Sequence, residues 1–77
     1  MLTKEQYERV RPYLPVINMY GRNQTYVGGD LTVINEVWIE LNNPSCCFGC
    51  QGDIARMLKG IYDETQRFER ENSDTHI

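Results

Sequence analysis

The sequence predicts an all-α fold, a small domain of three main helices in which prolines interrupt the first. The chain has 77 residues, the size of one domain with a modest core. Apolar residues recur at spacings of three and four in its first and last thirds, which is the helical period. Residues 1–71 are expected to form the single domain and 72–77 a frayed polar tail, because the end lacks apolar anchors.

The first helix has a well-defined predicted start. Thr3 as N-cap and Gln6 three residues later make a capping box. The apolar stripe that follows consists of Tyr7, Val10, Leu14 and Ile17. Pro12 and Pro15 interrupt this stripe, and an interior proline removes a backbone hydrogen bond and clashes with the preceding turn. The helix is therefore expected to end near Arg11 or to kink there.

The middle of the chain fits two interpretations. Residues 21–30 are rich in Gly and Asn and form the main break, and Asp30 is a natural N-cap for the next element. The β-branched residues of 31–41 favour a strand, and "TYVGGDLTV" fits a hairpin. The length, the Asp30 cap and the lack of a partner strand favour a helix. We predict a helix at 31–41, with an α+β fold containing a short hairpin at 24–34 as the alternative.

The last helix is predicted to begin with Asn43 as N-cap and Pro44 at the first helical position. Its apolar stripe comprises Cys47, Cys50, Ile54, Met57, Leu58, Ile61, Thr65 and Phe68. Three glycines within it, Gly49, Gly52 and Gly60, each cost about 0.8 to 1 kcal/mol relative to alanine in a helix. We expect them to lie where another backbone approaches closely.

The three cysteines lie within five positions, in "CCFGC". A structural zinc site needs four ligands, and the other soft ligand in the chain, His76, would lie roughly 30 Å away along the predicted helix. Redox CxxC motifs usually follow a strand, and none is evident before Cys47. We therefore predict that Cys47 and Cys50 pack in the core, that Cys46 turns partly outward and that no disulfide scaffold forms. If zinc binds, the expected ligands are Cys46, Cys47 and Cys50, completed by a second chain.

Charge and composition exclude several function classes. Eight Lys and Arg against eleven Asp and Glu give a net charge of -3, and no basic run is present. Direct nucleic-acid binding is therefore not expected. No apolar run approaches the roughly 20 residues of a membrane span, and the start lacks the apolar segment of a signal peptide. No pair of nucleophile and base can be assembled, so no enzymatic activity and no cofactor are expected.

Aromatic residues are frequent for so short a chain, which has five tyrosines and one tryptophan. A core of this size cannot bury all of them, and exposed aromatic side chains are typical of protein interfaces. The candidates for an interface are Tyr13, Tyr20, Tyr26, Trp38 and Tyr62.

Three stretches of the chain resemble the small uncharacterised proteins that tailed bacteriophages encode: "LTKEQYERVRPYL", "YVGGDLTVINEVWIELNN" and "CCFGCQGDIARMLKGIYDE". The likeness lies in size, mild acidity, aromatic content and a thiol pair that opens the last helix. It implies a non-enzymatic phage accessory protein in the virion or the host cytoplasm. Its expected role is that of a virion component or assembly factor that contacts a phage structural protein. The alternatives are an inhibitor of a host protein and a zinc-binding or thiol-redox module; a homo-oligomer is left open.

Overall fold

A computed structural model describes residues 2–26 and 28–73, and the domain it shows is all-α, as predicted. The helices are α1 (Lys4–Val10), α2 (Leu14–Asn23), α3 (Thr32–Glu40) and α4 (Gln51–Ser73). A 3₁₀ turn, Arg11–Tyr13, joins α1 to α2, so these two form the proline-interrupted first helix. The described residues contain no strand, and the hairpin alternative at 24–34 is therefore wrong. None of these helices is long and apolar enough to cross a bilayer.

The start of α1 carries the predicted capping box. The Thr3 Oγ1 accepts a hydrogen bond from the Gln6 N–H at 3.1 Å, and Gln6 Oε1 accepts one from the Thr3 N–H at 3.0 Å. Pro12 lies in the 3₁₀ turn and Pro15 near the start of α2, positions where a missing N–H leaves no helical bond unmade. The prolines therefore divide the first helix without destroying it.

The connection from α2 to α3 depends on left-handed backbone. Gln24 has a φ of 54° and donates its N–H to the Tyr20 carbonyl at 2.7 Å, which closes α2. Gly28 and Gly29 follow with φ of 103° and 132°, a region that residues with a Cβ rarely adopt. The Asp30 carboxylate then accepts a hydrogen bond from the Thr32 N–H at 2.9 Å. The N-cap of α3 is Leu31, so the predicted N-cap at Asp30 is wrong by one residue.

The predicted start of the last helix at Pro44 is wrong, because α4 begins at Gln51. Asn42 has a φ of 70°, and the Asn43 side-chain amide donates to the Trp38 carbonyl at 3.1 Å. The Asn43 side chain thus pairs with the last carbonyls of α3 instead of opening α4. At its other end α4 continues to Ser73 and so includes the first two residues of the tail predicted at 72–77. Residues 74–77, among them His76, lie outside the described residues.

The core lies where α4 packs on α2 and α3 and where α1 packs on α3. Ten apolar side chains are buried in it: Leu2, Val10, Ile17, Leu31, Ile34, Val37, Ile54, Met57, Leu58 and Ile61. Thr65 is the one polar residue buried with them among the described residues, and its hydroxyl donates to the Tyr62 carbonyl at 2.9 Å. Burying a hydroxyl is inexpensive when it makes such a bond.

At two glycines, the absence of a side chain lets an aromatic ring of a neighbouring helix pack directly against the helix backbone. The Tyr62 ring of α4 occupies the space that a Cβ on Gly21 would need, and the Trp38 ring of α3 does the same at Gly60 of α4. At Gly60 the close neighbour is the Trp38 side chain and not the backbone that was expected. At Gly49 and Gly52 the expectation is wrong, because no neighbouring part of the chain lies within 4 Å of the position that a Cβ would take.

Polar contacts hold α1 against its neighbours. Arg9 Nη1 donates to both carboxylate oxygens of Glu40, at 2.9 and 2.8 Å, and joins α1 to α3. The Tyr7 ring stacks on Phe68 of α4 with centroids 4.4 Å apart, and its hydroxyl donates to Glu69 at 2.8 Å. Burial, followed by this hydrogen bond, raises the pKa of Tyr7 to about 12. The phenol thus stays protonated in the folded chain.

Candidate functional site

The loop of residues 43–50 holds all three cysteines and differs from the prediction. Cys47 and Cys50 are exposed and joined in a disulfide, whereas Cys46 is free and partly buried. The predictions that Cys47 and Cys50 pack in the core and that no disulfide scaffold forms are therefore wrong, whereas the partial exposure of Cys46 agrees with the prediction that it turns partly outward. The physical reason is the late start of α4. Because positions 47 and 50 precede the helix, they do not lie on its apolar stripe, whose first buried member is Ile54.

Hydrogen bonds hold the cysteine loop at both ends. The Cys46 N–H donates to the Asn35 side chain of α3 at 2.9 Å. The Cys50 N–H donates to the Cys47 carbonyl at 3.0 Å, which closes a tight turn around the disulfide. The Cys50 carbonyl accepts from the N–H groups of Asp53 and Ile54, at 3.0 and 3.1 Å, so Cys50 opens α4.

The free thiol of Cys46 is poorly suited to nucleophilic chemistry. Its side chain packs against the core. Burial raises the pKa of this thiol, and the negative charge of Asp53 adds to the effect. Since the thiolate is the reactive form, Cys46 stays mostly protonated and unreactive near neutral pH.

Asp53 completes a cluster with the two exposed cysteines. The sulfur atoms of Cys47 and Cys50 and a carboxylate oxygen of Asp53 all lie within 4.8 Å of one another. The sequence proposed Cys46, Cys47 and Cys50 as the ligands if a metal bound, and the structure groups Asp53 with the pair in place of Cys46. The sequence signal for this cluster is the spacing C-x-x-C-x-x-D across a helix start. Residues three apart lie on the same side of a helical turn, so Asp53 lies on the same side as Cys50.

The five aromatic interface candidates are all partly buried and pack against the core. Trp38 and Tyr62 serve mainly as helix contacts, because their rings lie on Gly60 and Gly21. Tyr13 belongs to the 3₁₀ turn between α1 and α2. Tyr20 and Tyr26 differ from these three, since both line the same surface cleft.

Two surface clefts share lining residues and adjoin each other. The larger has a volume of about 430 Å³ and is lined by Tyr20, Tyr26, Ile54 and Ala55 together with uncharged polar residues. The smaller, of about 230 Å³, shares Tyr26 and Ile54 with it and extends to Phe48. We call this continuous surface, with Tyr20, Tyr26, Ile54 and Phe48, the tyrosine face.

Phe48 is the most exposed large apolar side chain among the described residues, with 49% of its surface accessible. Phe48 is not among the interface candidates that the sequence predicted. In the structure it lies between the disulfide-bonded cysteines, at the tip of their turn. The turn therefore presents an aromatic side chain beside the smaller cleft.

No family model, no curated protein and no solved structure matches this chain. The resemblance to small phage proteins stays a prediction.

Proposed function

We propose that this chain acts without catalysis, by protein–protein contact, and that the tyrosine face is the surface that binds the partner. The observation that supports the proposal is the pair of adjoining clefts lined by Tyr20 and Tyr26 and bordered by the exposed Phe48. Tyrosine is over-represented among the residues that dominate binding energy at interfaces. Its ring supplies apolar area, and its hydroxyl forms hydrogen bonds at the wet edge.

The lining of the larger cleft indicates the chemistry of the partner. Its polar side chains, Gln24, Thr25 and Gln51, carry no charge. A volume of about 430 Å³ falls within the range of pockets that hold small ligands or anchor side chains, about 300 to 1,000 Å³. The partner we propose is a protein segment that inserts an apolar or aromatic anchor residue, flanked by backbone groups that bond to the amides and hydroxyls.

A phage setting supplies the proposed class of partner. The resemblance in size, acidity and aromatic content supports a virion component or assembly factor that contacts a phage structural protein. An inhibitor of a host protein is the second proposal, supported by the same features. Mass spectrometry of purified particles tests the role of virion component, because such a protein must be present in the particle; its absence there would remove that role.

Site-specific photo-crosslinking in infected cells tests the tyrosine face. A photoreactive phenylalanine analogue replaces Phe48 in one variant and Ile39 in the control; Ile39 is 44% exposed and lines neither cleft. We expect a discrete crosslinked species from position 48, its loss when Tyr26→Ala is added, and no such species from position 39.

Equal crosslinking from both positions, or crosslinking from position 48 that survives Tyr26→Ala, would contradict the assignment of this face. Circular dichroism of each variant first establishes that the helices are intact. Because Tyr26 lies outside the fully buried core, its truncation is expected to leave the fold in place.

A further inference from the structure

The exposed disulfide and Asp53 point to a second site, separate from the tyrosine contacts. We infer that the reduced form of this chain binds one zinc-type divalent cation through the thiolates of Cys47 and Cys50 and the carboxylate of Asp53. The inference does not rest on the proposed protein contact, since it uses different side chains.

The distances suit a tetrahedral ion. With metal–sulfur bonds of about 2.3 Å, two thiolates on a tetrahedral ion lie about 3.8 Å apart. The three donor groups are all within 4.8 Å of one another, and the Cα atoms of the two cysteines are 5.2 Å apart. Once the bond between the sulfurs is broken, side-chain rotations of the two cysteines can therefore bring three ligands onto one ion.

The backbone already holds these groups in place. The Cys50 N–H bonds to the Cys47 carbonyl at 3.0 Å, and the Cys47 N–H points to Asp53 Oδ2 at 3.4 Å. Cys47 and Cys50 are exposed, and no distant part of the chain lies within 4 Å of the position that a Cβ on Gly49 or Gly52 would take, so an ion can reach the two sulfurs from solvent. A loop that is ordered before binding loses less conformational entropy when the metal arrives.

The charges are nearly balanced. Two thiolates and one carboxylate carry a total charge of -3, and a bound divalent ion reduces the net charge of the site to -1. Arg56 lies 4.0 Å from Asp53 Oδ1, and the positive end of the dipole of α4 lies at the same point. Three protein ligands leave the fourth position to water, as in zinc sites that keep an open position.

Oxidation state controls this site. In the disulfide each sulfur is bonded to the other, and neither is a thiolate that can bind the ion. A dithiol reductant transfers two electrons and two protons, which gives two cysteine thiols and leaves the reductant as its own disulfide. Binding of the ion then displaces the two thiol protons into solvent.

Cys46 provides a matched control. It neighbours Cys47, but its N–H is bonded to Asn35, its side chain packs on the core, and it is not a member of the donor cluster. A site built from any nearby thiols would use Cys46, whereas the proposed site would not.

Cobalt titration of the 77-residue chain tests the proposal, because thiolate-to-cobalt charge transfer absorbs in the near ultraviolet. After reduction with a phosphine and removal of oxygen, we expect one cobalt per chain, release of two protons and displacement by zinc. The oxidised chain and the reduced Cys47→Ser and Cys50→Ser variants should show no charge-transfer band. Cys46→Ser should bind as the native chain does, and Asp53→Asn should bind about tenfold or more weakly.

Several outcomes would overturn the proposal: no binding by the reduced chain, binding by the oxidised chain, or loss of binding in Cys46→Ser. One cobalt per two chains, with no effect of Asp53→Asn, would likewise refute the three-ligand site. Circular dichroism confirms the helices of each variant, and thiol counting confirms complete reduction. Tyr26→Ala should retain full metal binding, so a failure of the metal site and a failure of the tyrosine face are distinguishable.

Discussion

Replacing Gly60 with alanine places two physical effects of opposite sign in competition. By helix propensity alone, alanine in the interior of α4 should raise the free energy of unfolding by about 1 kcal/mol. In the structure the new Cβ would lie 2.5 Å from Cζ3 and 2.6 Å from Cη2 of Trp38. Carbon atoms not bonded to each other normally lie about 3.5 to 4.0 Å apart, so the ring must move.

The magnitude follows from these two terms. Insertion of a methyl group into packed space costs about 1 to 3 kcal/mol, and the propensity gain offsets about 1 kcal/mol of this. We therefore expect Gly60→Ala to lower the free energy of unfolding by about 1 kcal/mol. In a domain of this size such a change lowers the melting temperature by about 4 to 8 °C.

Urea unfolding followed by circular dichroism measures the effect, with the disulfide intact in every sample. Gly52→Ala is the matched control, since it lies in the same helix with no neighbouring atom within 4 Å of the added Cβ, and should be neutral or stabilising by up to about 1 kcal/mol. Gly60→Ala combined with Trp38→Leu should cost less than the sum of the single changes, because the smaller side chain removes the clash. If Gly60→Ala stabilised the chain as much as Gly52→Ala, the packing of Trp38 on α4 would be refuted.

Three further predictions concern stability. Tyr7→Phe should cost about 1 kcal/mol through its lost hydrogen bond. Because the pKa of Tyr7 is raised to about 12 from an ordinary 10.0, the unfolded chain loses this proton first. Stability should therefore fall as pH rises from 10.0 to about 12, and Tyr7→Phe should remove this part of the fall, as measured by urea unfolding across that range. A double-mutant cycle of Arg9→Ala and Glu40→Ala should give a small favourable coupling that weakens in high salt, because the pair is exposed; no coupling would refute their role in joining α1 to α3. Reduction of the Cys47–Cys50 disulfide should lower the free energy of unfolding by about 2 kcal/mol, given its four-residue loop, and the reduced chain should match the double serine variant.

Several elements of the fold could be predicted because their causes are local. The capping box at Thr3 needs only a hydroxyl and an amide three residues apart, and both hydrogen bonds form. The interruption at Pro12 follows from the ring of one residue. The periodic residues from Ile54 to Ile61 form the buried stripe of α4, as expected.

The candidate sites were less predictable, because they depend on contacts between distant residues. Whether a tyrosine lines a cleft or packs against a helix depends on the residue that faces it from another part of the chain. The Tyr62 ring, for example, packs against α2 because Gly21 has no side chain there. Asp53 joins the cysteines only because the turn at Cys50 brings the start of α4 against the loop.

The sequence by itself determined the all-α class, the interrupted first helix and the buried stripe of α4, since periodicity, capping and proline chemistry act within a few residues. The tertiary structure alone decided where α4 begins and hence what the cysteines do. The pair Asn43-Pro44 fits the start of a helix, but the Asn43 side-chain amide can also bond to a carbonyl near the end of α3, and in the folded chain it donates to that of Trp38. That choice moves the start of α4 to Gln51 and places Cys47 and Cys50 in solvent, beside Asp53 and outside the core.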